Sequence, residues 1–496
     1  MTSRQGLVAI CVAILLLATC FARAETARAA PPAAAISWAP CPGDDTDECG
    51  TLDVPLDYEH PDGRTIALAV RRSPATDPAH RLGSLVLNPG GPGGSGLGLG
   101  HVIHGVLSQL GGRAAEVAAR YDFIGFDPRG VGASTPVTCA PEHRLDEFYA
   151  DDSTPDDGTE RAALVAAMKT QAAGCRQLSR RLLPFMGTRD AARDLDEIRK
   201  AVGDERLNFL GFSYGTELGA TYAELFPHRV GRLVLDGAVD PNLSGVETAR
   251  QQARSLEASF ARFADECGPD PACPFSSGGD PATAYDALMT RLDSSPLPTA
   301  DGRTVTAGQA ESGIANALFD HGSWPTIAAA LADAEHGDGS GLIALYDEYA
   351  ERNPDGTYTN YAESNNAVNC TDYKWPRGKA GYDALVTQLR AEAPRFGQAF
   401  LWEFLPCAYW PVPPTPKGRY EGKPTAGPIL VVGTTNDPST PYRWAKALAT
   451  AIPGAVLLTR DGDGHTGYIR SGNRCIDDAV NTYLLDGAPP TGGTVC

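Results

Sequence analysis

The chain has 496 residues and a formal net charge of −19, and 42% of its residues are hydrophobic. This is the composition of a globular protein, and the length suits one large domain with an insertion, or two domains. The strong negative charge argues against nucleic acid and anionic membrane surfaces as partners.

The N-terminal residues are typical of an export signal. Arg4 precedes an apolar run from Gly6 to Cys20, and small residues that suit signal peptidase follow. The run is shorter than the roughly 17–25 residues of a membrane span. We therefore predict a signal peptide over residues 1–29, and a secreted, extracellular protein without stable membrane insertion. An uncleaved anchor is one alternative. The other is a lipid tether at Cys20, which follows a sequence similar to a lipobox and would hold the protein at the cell envelope.

The cysteines fit an exported protein. Twelve are present, and removal of Cys11 and Cys20 with the signal would leave ten, an even number that argues for disulfides. No C-x-x-C pair occurs among them, so no zinc site is predicted. Sequence does not determine which cysteines pair. We predict pairing between neighbours in chain order: Cys41–Cys49, Cys139–Cys175, Cys267–Cys273, Cys370–Cys407 and Cys475–Cys496.

Predicted strands and helices alternate in the first half of the chain, which indicates a mostly parallel sheet with both faces covered. A helix is predicted over 188–202, with Thr188 as its N-cap. Asp127 and Arg129, which follow a strand, are predicted to brace a loop. The predicted strands are 51–58, 65–72, 84–87, 121–126, 207–210 and 232–235, and a second helix spans 216–226.

The alternation stops near Pro241 and resumes near Pro428. Between them the sequence predicts helices and Gly/Pro-rich connections, and after them strands at 428–432 and 455–458 with helices at 441–452 and 475–485. We therefore predict an α/β core interrupted by an inserted, mainly helical cap. The predicted domains are the first part of the core at 36–240, the cap or lid at 241–425 and the second part of the core at 426–496.

One pentapeptide carries the chemistry. Gly211-Phe212-Ser213-Tyr214-Gly215 lies between a predicted strand and a predicted helix. In that context G-x-S-x-G is typical of a nucleophile elbow, whose sharp turn exposes the serine hydroxyl at the end of a strand. Because a serine hydroxyl needs a base to take its proton, Ser213 is the predicted nucleophile if the chain supplies a base and an acid.

Two later loops supply the base and the acid. Asp437 and His465 each follow a predicted strand, at the edge where open α/β sheets place their sites. The chain order Ser, Asp, His is that of α/β-hydrolases. We predict that His465 takes the proton of Ser213 and that Asp437 holds the imidazole. Asp236 and Asp240 are the alternative positions for the acid.

A glycine-rich loop after the strand at 84–87 is the predicted oxyanion hole. Gly90 and Gly91 let backbone N–H groups approach a substrate oxygen, and we assign the donors to the N–H groups of Gly91 and Tyr214. Gly91-x-Gly93-x-x-Gly96 also matches a dinucleotide fingerprint. Its interior proline and the downstream acid and histidine disfavour that alternative. No metal and no organic cofactor is implied.

The chain resembles the exported tripeptidyl aminopeptidases of actinobacteria, relatives of prolyl aminopeptidase among the α/β-hydrolases, over essentially the whole mature chain. Prolyl aminopeptidases carry His at the position of Pro89, a departure that leaves the Gly91 N–H in place. The resemblance is carried by Asn88-Pro89-Gly90-Gly91-Pro92-Gly93-Gly94-Ser95-Gly96, residues 121–130, Gly211-Phe212-Ser213-Tyr214-Gly215-Thr216, Asn369-Cys370-Thr371-Asp372, residues 436–441 and Gly464-His465.

The resemblance implies an α/β-hydrolase fold and a serine exopeptidase that releases tripeptides or short peptides from free N-termini. Its partners would be peptides with a free N-terminus. Two other classes stay open: a carboxylesterase or lipase on the same scaffold, for which the apolar run 400–405 would line the site, and a binding protein with an inactive hydrolase fold. Epoxide hydrolases and haloalkane dehalogenases are disfavoured because they need Asp in place of Ser213.

A buried or half-buried carboxylate recognises a positive α-amino group through a charge-assisted hydrogen bond, and we expect it in the cap. We place it in the polar cluster of residues 361–372, with Glu363, Asn369 and Asp372 as the candidate substrate-binding residues. The alternative is a solvated cap loop pinned by a disulfide. Thr440, three residues after Asp437, is a further candidate for the site.

Overall fold

The computed structural model describes residues 35–141, Leu145 and residues 153–496. The predicted signal peptide and Cys20 lie outside these residues. None of the described helices is both long and apolar enough to cross a bilayer.

A nine-stranded sheet forms the centre of the fold, in the order β1-β2-β3-β5-β4-β6-β7-β10-β11. β1, β2, β3 and β5 pair antiparallel, whereas the six strands from β5 to β11 across the sheet are parallel. The strands are β1 (Ala39–Cys41), β2 (Asp44–Pro55), β3 (Thr65–Ser73), β4 (Gly83–Asn88), β5 (Tyr121–Phe126), β6 (Leu207–Phe212), β7 (Val230–Asp236), β8 (Leu297–Pro298), β9 (Thr304–Val305), β10 (Ile429–Asn436) and β11 (Val456–Asp463). The predicted mostly parallel sheet is confirmed, and β8 and β9 form a separate two-stranded ribbon.

The helices surround this sheet or follow one another between β7 and β10. They are α1 (Leu99–Leu110), α2 (Gly112–Arg120), α3 (Gly158–Leu178), α4 (Thr188–Ala201), α5 (Tyr214–Leu225), α6 (Gly245–Cys267), α7 (Pro281–Ser294), α8 (Ala307–Ala317), α9 (Trp324–Glu335), α10 (Ser340–Tyr349), α11 (Tyr361–Asp372), α12 (Gly378–Glu392), α13 (Gly397–Trp402), α14 (Tyr442–Ala451) and α15 (Arg474–Asp486).

Both faces of the sheet are covered, which explains why its central strands are apolar throughout. Along β4, Val86 packs into the core cluster that contains residues of α4 and α5. Leu85 and Leu87 pack into the cluster that contains residues of α1, α2 and α15. This alternation follows from the two-residue side-chain period of a strand.

The segment between β7 and β10, called the insertion below, is mainly helical and has a core of its own. Phe260, Tyr285, Ile314 and Leu331, from four different helices, are buried together there. The insertion belongs to the same compact unit as the sheet, so the predicted division at residues 241 and 425 stays a prediction.

The five predicted disulfides are all present: Cys41–Cys49, Cys139–Cys175, Cys267–Cys273, Cys370–Cys407 and Cys475–Cys496. The pair Cys370–Cys407 joins the end of α11 to the segment after α13, and Cys475–Cys496 joins the last helix to the C-terminus. Each described disulfide therefore joins two cysteines that are consecutive in chain order, as predicted.

One prediction about a helix end is wrong. Gly187, not Thr188, occupies the N-cap of α4, and no side chain of its own segment caps the helix. Instead the Asp372 carboxylate accepts hydrogen bonds from the Thr188 N–H at 3.0 Å and from the Thr188 hydroxyl. A carboxylate at a helix N-terminus is favoured by the helix dipole, so a residue of the insertion caps a helix of the core.

Candidate active site

Ser213 occupies a sharp turn between β6 and α5. Its backbone has φ 54° and ψ −123°, a conformation that is sparsely populated for residues other than glycine and that clusters at functional sites. The Ser213 N–H donates to the Asp236 carbonyl at 2.9 Å, which ties the turn to the neighbouring strand β7. The predicted strand, turn and helix are thus present in the predicted order.

The glycine-rich loop after β4 packs directly against this turn. A Cβ at Gly90 would lie 2.6 Å from the Phe212 carbonyl oxygen and 2.9 Å from the Ser213 Cβ, and Gly90 has φ +103°. Only glycine allows both this backbone conformation and this close approach. The loop therefore packs Gly90, the residue before Gly91, against the start of α5.

The two predicted oxyanion donors lie where free N–H groups are expected. Tyr214 is the first residue of α5, and the first N–H groups of a helix have no partner within the helix. Within the described residues, neither the Tyr214 N–H nor the Gly91 N–H has a hydrogen-bond acceptor. Both residues line the same cavity as Ser213.

His465 contacts the predicted acid. Its Nδ1 lies 3.0 and 2.9 Å from the two carboxylate oxygens of Asp437. Asp437 is buried and also accepts hydrogen bonds from the N–H groups of Ser439 and Thr440 and from the Thr440 hydroxyl, at 2.7–2.9 Å. These donors stabilise an ionised carboxylate, which in turn favours the imidazole tautomer with its proton on Nδ1.

The other imidazole nitrogen is left for the nucleophile. Nε2 of His465 is buried and has no hydrogen-bond partner in the part of the chain that the structure describes. His465 and Ser213 line one cavity of about 520 Å³. No hydrogen bond joins the two described side chains directly. Such contacts are often long before substrate binds.

Neither alternative acid is hydrogen-bonded to His465 in the described part of the chain. Asp236 is buried and accepts hydrogen bonds from the N–H groups of Gly467 at 3.0 Å and Tyr468 at 2.8 Å. Burial raises its pKa to about 6. Asp240 accepts from the Asn242 N–H at the surface. Among these three acids, Asp437 is the one bonded to His465.

The predicted bracing residues are confirmed. Asp127 accepts hydrogen bonds from the Ser95 hydroxyl at 2.5 Å and from the Ala133 N–H at 2.9 Å, so it joins the glycine-rich loop to the segment after β5. Arg129 makes a bidentate ion pair with Asp194. Both contacts measure 2.7 Å, and both side chains are buried.

Two of the candidate amine-binding carboxylates, Glu363 and Asp372, lie outside the cavity lining. Glu363 accepts hydrogen bonds from the backbone N–H groups of Cys139 at 2.6 Å and Ala140 at 3.0 Å. Asp372 is occupied by Thr188, as described above, and burial raises its pKa to about 7. Both carboxylates are buried and satisfied by partners in the core, so they join the insertion to the core instead of facing a substrate.

The other two candidates line the cavity. The Asn369 side-chain amide donates to the carbonyl of Asn365, one turn earlier on α11, at 3.0 Å. The Thr440 hydroxyl donates to Asp437 and lies 3.3 Å from His465 Nδ1. Thr440 therefore holds the acid and the histidine together.

The cavity has an acidic wall that sequence reasoning missed. Glu348, Glu351 and Glu403, all from the insertion, line it. Burial raises the pKa of Glu403 to about 7, and the Tyr349 hydroxyl bonds to its carboxylate. Burial also raises the pKa of Glu351, whose backbone has the uncommon φ of 50°. A single glutamate within the apolar run 400–405 was the available signal for Glu403.

The same run supplies apolar surface to the cavity. Phe400, Trp402 and Phe404 line it together with Glu403. Phe404 stacks on Trp375, with ring centroids 4.6 Å apart. The part of the cavity lining that the insertion supplies is therefore partly aromatic and partly acidic.

Comparison with known proteins gives consistent matches. Residues 393–496 match the family model described as TAP-like protein. The chain is 36% identical to serine protease Hip1 of Mycobacterium tuberculosis over 93% of this chain and 91% of the relative. It is 35% identical to tripeptidyl aminopeptidase of Streptomyces coelicolor over 95% of this chain and 88% of the relative. It is also 36% identical to carboxylesterase B of Mycobacterium tuberculosis over 90% of this chain and 86% of the relative.

These relatives, together with the parallel sheet and its covering helices, make the protein an enzyme of the α/β-hydrolase class. The alignments span nearly the whole chain, including both the core and the insertion. The chain belongs to the tripeptidyl aminopeptidase family of serine hydrolases, the family of TAP-like proteins.

Proposed function

We propose that this enzyme is a secreted serine exopeptidase that releases tripeptides or short peptides from free N-termini through Ser213, His465 and Asp437. The observation that carries the triad is the arrangement of His465. Its Nδ1 is bonded to Asp437, and its Nε2, which has no partner among the described residues, is buried beside the cavity that Ser213 lines. The aminopeptidase name of the Streptomyces coelicolor relative supports the substrate class.

The reaction would proceed through an acyl-enzyme. Nε2 of His465 takes the proton of the Ser213 hydroxyl as the serine oxygen attacks the scissile carbonyl. The N–H groups of Gly91 and Tyr214 donate to the oxyanion as it forms, and losing one such donor typically costs about 2.7–4 kcal/mol of barrier. His465 then gives the proton to the leaving amine. Water then takes the place of the amine. His465 takes a proton from the water as it attacks the acyl carbon, and returns a proton to Ser213 as the bond to the serine oxygen breaks.

The acidic wall supports recognition of a free N-terminus. A charge-assisted hydrogen bond from an ammonium to a carboxylate is roughly twice as strong as a neutral one. We propose Glu403 as the acceptor for the substrate ammonium, with Glu351 nearby in the cavity wall. Burial raises the pKa of Glu403 to about 7, and a bound ammonium favours the ionised form. This assignment replaces Glu363 and Asp372.

A carboxylesterase is the second candidate function, and two observations favour it. Phe400, Trp402 and Phe404 give the cavity an aromatic surface that suits an apolar acyl group. One relative of equal identity bears the name carboxylesterase B. The same three side chains hydrolyse esters and amides, so the triad does not separate the two functions.

Export and domain organisation belong to the same proposal. Five disulfides are typical of proteins that fold in an oxidising compartment, which supports secretion after removal of residues 1–29. A lipid tether at Cys20 would instead retain the enzyme at the cell envelope. The segment 241–425 would act as the cap that closes the cavity above the core segments 36–240 and 426–496.

A matched pair of substrates tests the proposal. The pair consists of the tripeptide Ala-Pro-Ala with a fluorogenic amide leaving group and its N-acetyl form, assayed beside a short-chain nitrophenyl ester. We expect cleavage of the free peptide, little cleavage of the acetylated one and loss of activity in Ser213→Ala. Ester turnover with neither peptide cleaved would favour the esterase. Peptide cleavage that survives in Ser213→Ala would refute the nucleophile.

A further inference from the structure

The loops that carry the proposed acid and base are held from the insertion. The Ser255 hydroxyl, on α6, donates to the carbonyl oxygen of Asp437 at 2.8 Å. The N–H of His465 donates to the carbonyl oxygen of Phe319 at 2.7 Å, and the Phe319 ring packs edge-on against the imidazole with centroids 5.6 Å apart. The insertion therefore contacts both loops directly.

The two loops leave the sheet at the same level. Asn436 and Asp463, the last residues of β10 and β11, are register partners. Asp437 follows Asn436 immediately, and His465 lies two residues beyond Asp463. The ladder is irregular just before this level, between Thr434 and Asn436. The Thr435 hydroxyl, which accepts from the Gly462 N–H at 3.0 Å, bridges the two strands at this irregularity. The acid and base loops therefore both start at the last register pair of the sheet.

The loop that carries His465 begins with two glycines, which restrict its backbone little. Gly462 and Gly464 flank Asp463, and both have positive φ, +148° and +107°. Glycine restricts the backbone less than any other residue, so the chain can change direction on either side of Asp463, the last residue of β11. Beyond His465 the loop is held by Asp236, which accepts from the N–H groups of Gly467 and Tyr468. The side of the loop next to β11 is therefore the one where a support from outside would matter.

Arg262, on α6, contacts both strand ends. Its Nε donates to the Asp463 carboxylate, and its Nη2 donates to the carbonyl oxygen of Asn436 at 3.2 Å. Its Nη1 donates to the carbonyl oxygen of Ala258, one turn earlier on the same helix, at 3.0 Å. The planar guanidinium is well suited to hold several acceptors in a fixed geometry. One rigid group thus joins β10, β11 and α6.

We propose that Arg262 is a positioning residue that fixes the separation of the Asp437 loop and the His465 loop. The inference rests on the proposed triad and adds a residue that does not touch substrate. Small errors in placement matter because a displacement of about 1 Å can cost on the order of 100-fold in rate.

The alternative is an ordinary surface ion pair. The Arg262 side chain is 30% exposed and that of Asp463 is 24% exposed. Exposed pairs contribute little to stability, so such a pair would change neither stability nor rate by much. A positioning role predicts a loss of rate with an almost unchanged melting temperature, which a purely structural role does not produce.

The test measures the reactivity of Ser213 with a fluorophosphonate probe, which needs the serine and its base but no peptide subsite. We expect Arg262→Gln to slow labelling by about tenfold. Arg250→Gln is the matched control, because Arg250 lies on the same helix, is 28% exposed and pairs with Glu392, which lies within the insertion. We expect its labelling rate to stay within about twofold of the wild-type rate.

Two further variants separate folding from positioning. Arg262→Lys keeps the charge but loses the fork, so it should recover part of the rate, and Asp463→Asn should slow labelling by removing the other side of the pair. kcat on the free tripeptide should fall with the labelling rate while KM changes little. A wild-type labelling rate in folded Arg262→Gln would overturn the inference and leave the triad standing. Labelling that persists in Ser213→Ala would refute the proposed nucleophile itself, and the inference with it.

Discussion

The core and the insertion contribute to the cavity in different ways. In the core, Ser213, Asp437 and His465 each follow a strand, within short segments whose residues determine the local geometry. In the insertion, Glu351 follows the end of α10 and Glu403 follows the end of α13, and these two segments share no motif and line one cavity only through packing. Under the proposed function, local motifs of the core would supply the chemistry and tertiary contacts of the insertion would supply substrate selection.

The largest expected effect comes from the core. Asp437→Asn should reduce kcat by about 10⁴-fold on peptide and ester alike, because the amide no longer holds the Nδ1 tautomer of His465. Steady-state kinetics on both substrates measure the change, and circular dichroism checks that the variant folds. A loss of kcat on the peptide alone would contradict the assignment of the chemistry to the core and of substrate selection to the insertion.

A change in the insertion should affect one substrate class only. Glu403→Gln should raise KM for the free-amine tripeptide by about tenfold or more, as expected for the loss of a hydrogen bond to a charged group, and leave ester hydrolysis unchanged. Asp372→Asn is the control, because the Asp372 carboxylate lies outside the cavity lining. Its KM for the tripeptide should stay close to that of the wild type. An equal loss on peptide and ester in Glu403→Gln would exclude amine recognition by Glu403.

A smaller effect should appear where core and insertion meet. The hydroxyls of Tyr214 and Thr188 lie 2.7 Å apart, and Thr188 in turn donates to Asp372. Tyr214→Phe removes the hydrogen bond between these hydroxyls, on the residue whose backbone N–H is a proposed oxyanion donor. We therefore expect kcat to fall by a few fold, which corresponds to about 1 kcal/mol of barrier.

Tyr222→Phe provides the matched control for Tyr214→Phe. Tyr222 lies on the same helix, is buried and donates to Asp196, far from the elbow. Its loss should lower the melting temperature without changing kcat. If both variants lower kcat equally, the hydrogen bond between Tyr214 and Thr188 has no special role.

The smallest effect concerns the pH dependence of stability. Burial raises the pKa of Asp372 from 3.8 to about 7, so the folded state binds this proton more tightly than the unfolded state. The stability that the protonated group contributes is therefore lost as pH rises through the interval from about 4 to about 7. Asp372→Asn lacks this term, so its melting temperature relative to the wild type should rise across the interval. A difference that is constant with pH would contradict the raised pKa.

The core was largely predictable because its signals are local. The apolar strand β6, the G-x-S-x-G turn and the helix after it follow one another within twenty residues or so of sequence, and Asp437 and His465 follow strands that are themselves evident. The five disulfides were predictable because each joins cysteines that are neighbours in order along the chain.

The roles of Glu363 and Asp372 were not predictable, for a physical reason. A carboxylate in a polar cluster has the same local pattern whether it faces a cavity or binds a backbone segment. The partner of Glu363 lies 224 residues away and that of Asp372 lies 184 residues away. Asp372 also explains the error at Thr188, because the carboxylate that caps α4 comes from another part of the chain. Glu403 and Arg262 could be identified only once the insertion was packed on the core.

The most direct measurement is the mass of the acyl-enzyme. Enzyme mixed with an Ala-Pro-Ala ester and quenched in acid within its first turnover should gain the mass of one tripeptidyl group, on the proteolytic fragment that contains Ser213. We expect this adduct in the wild type and its absence in Ser213→Ala. Turnover of the substrate with an adduct on another residue, or with a single aminoacyl group on Ser213, would contradict it.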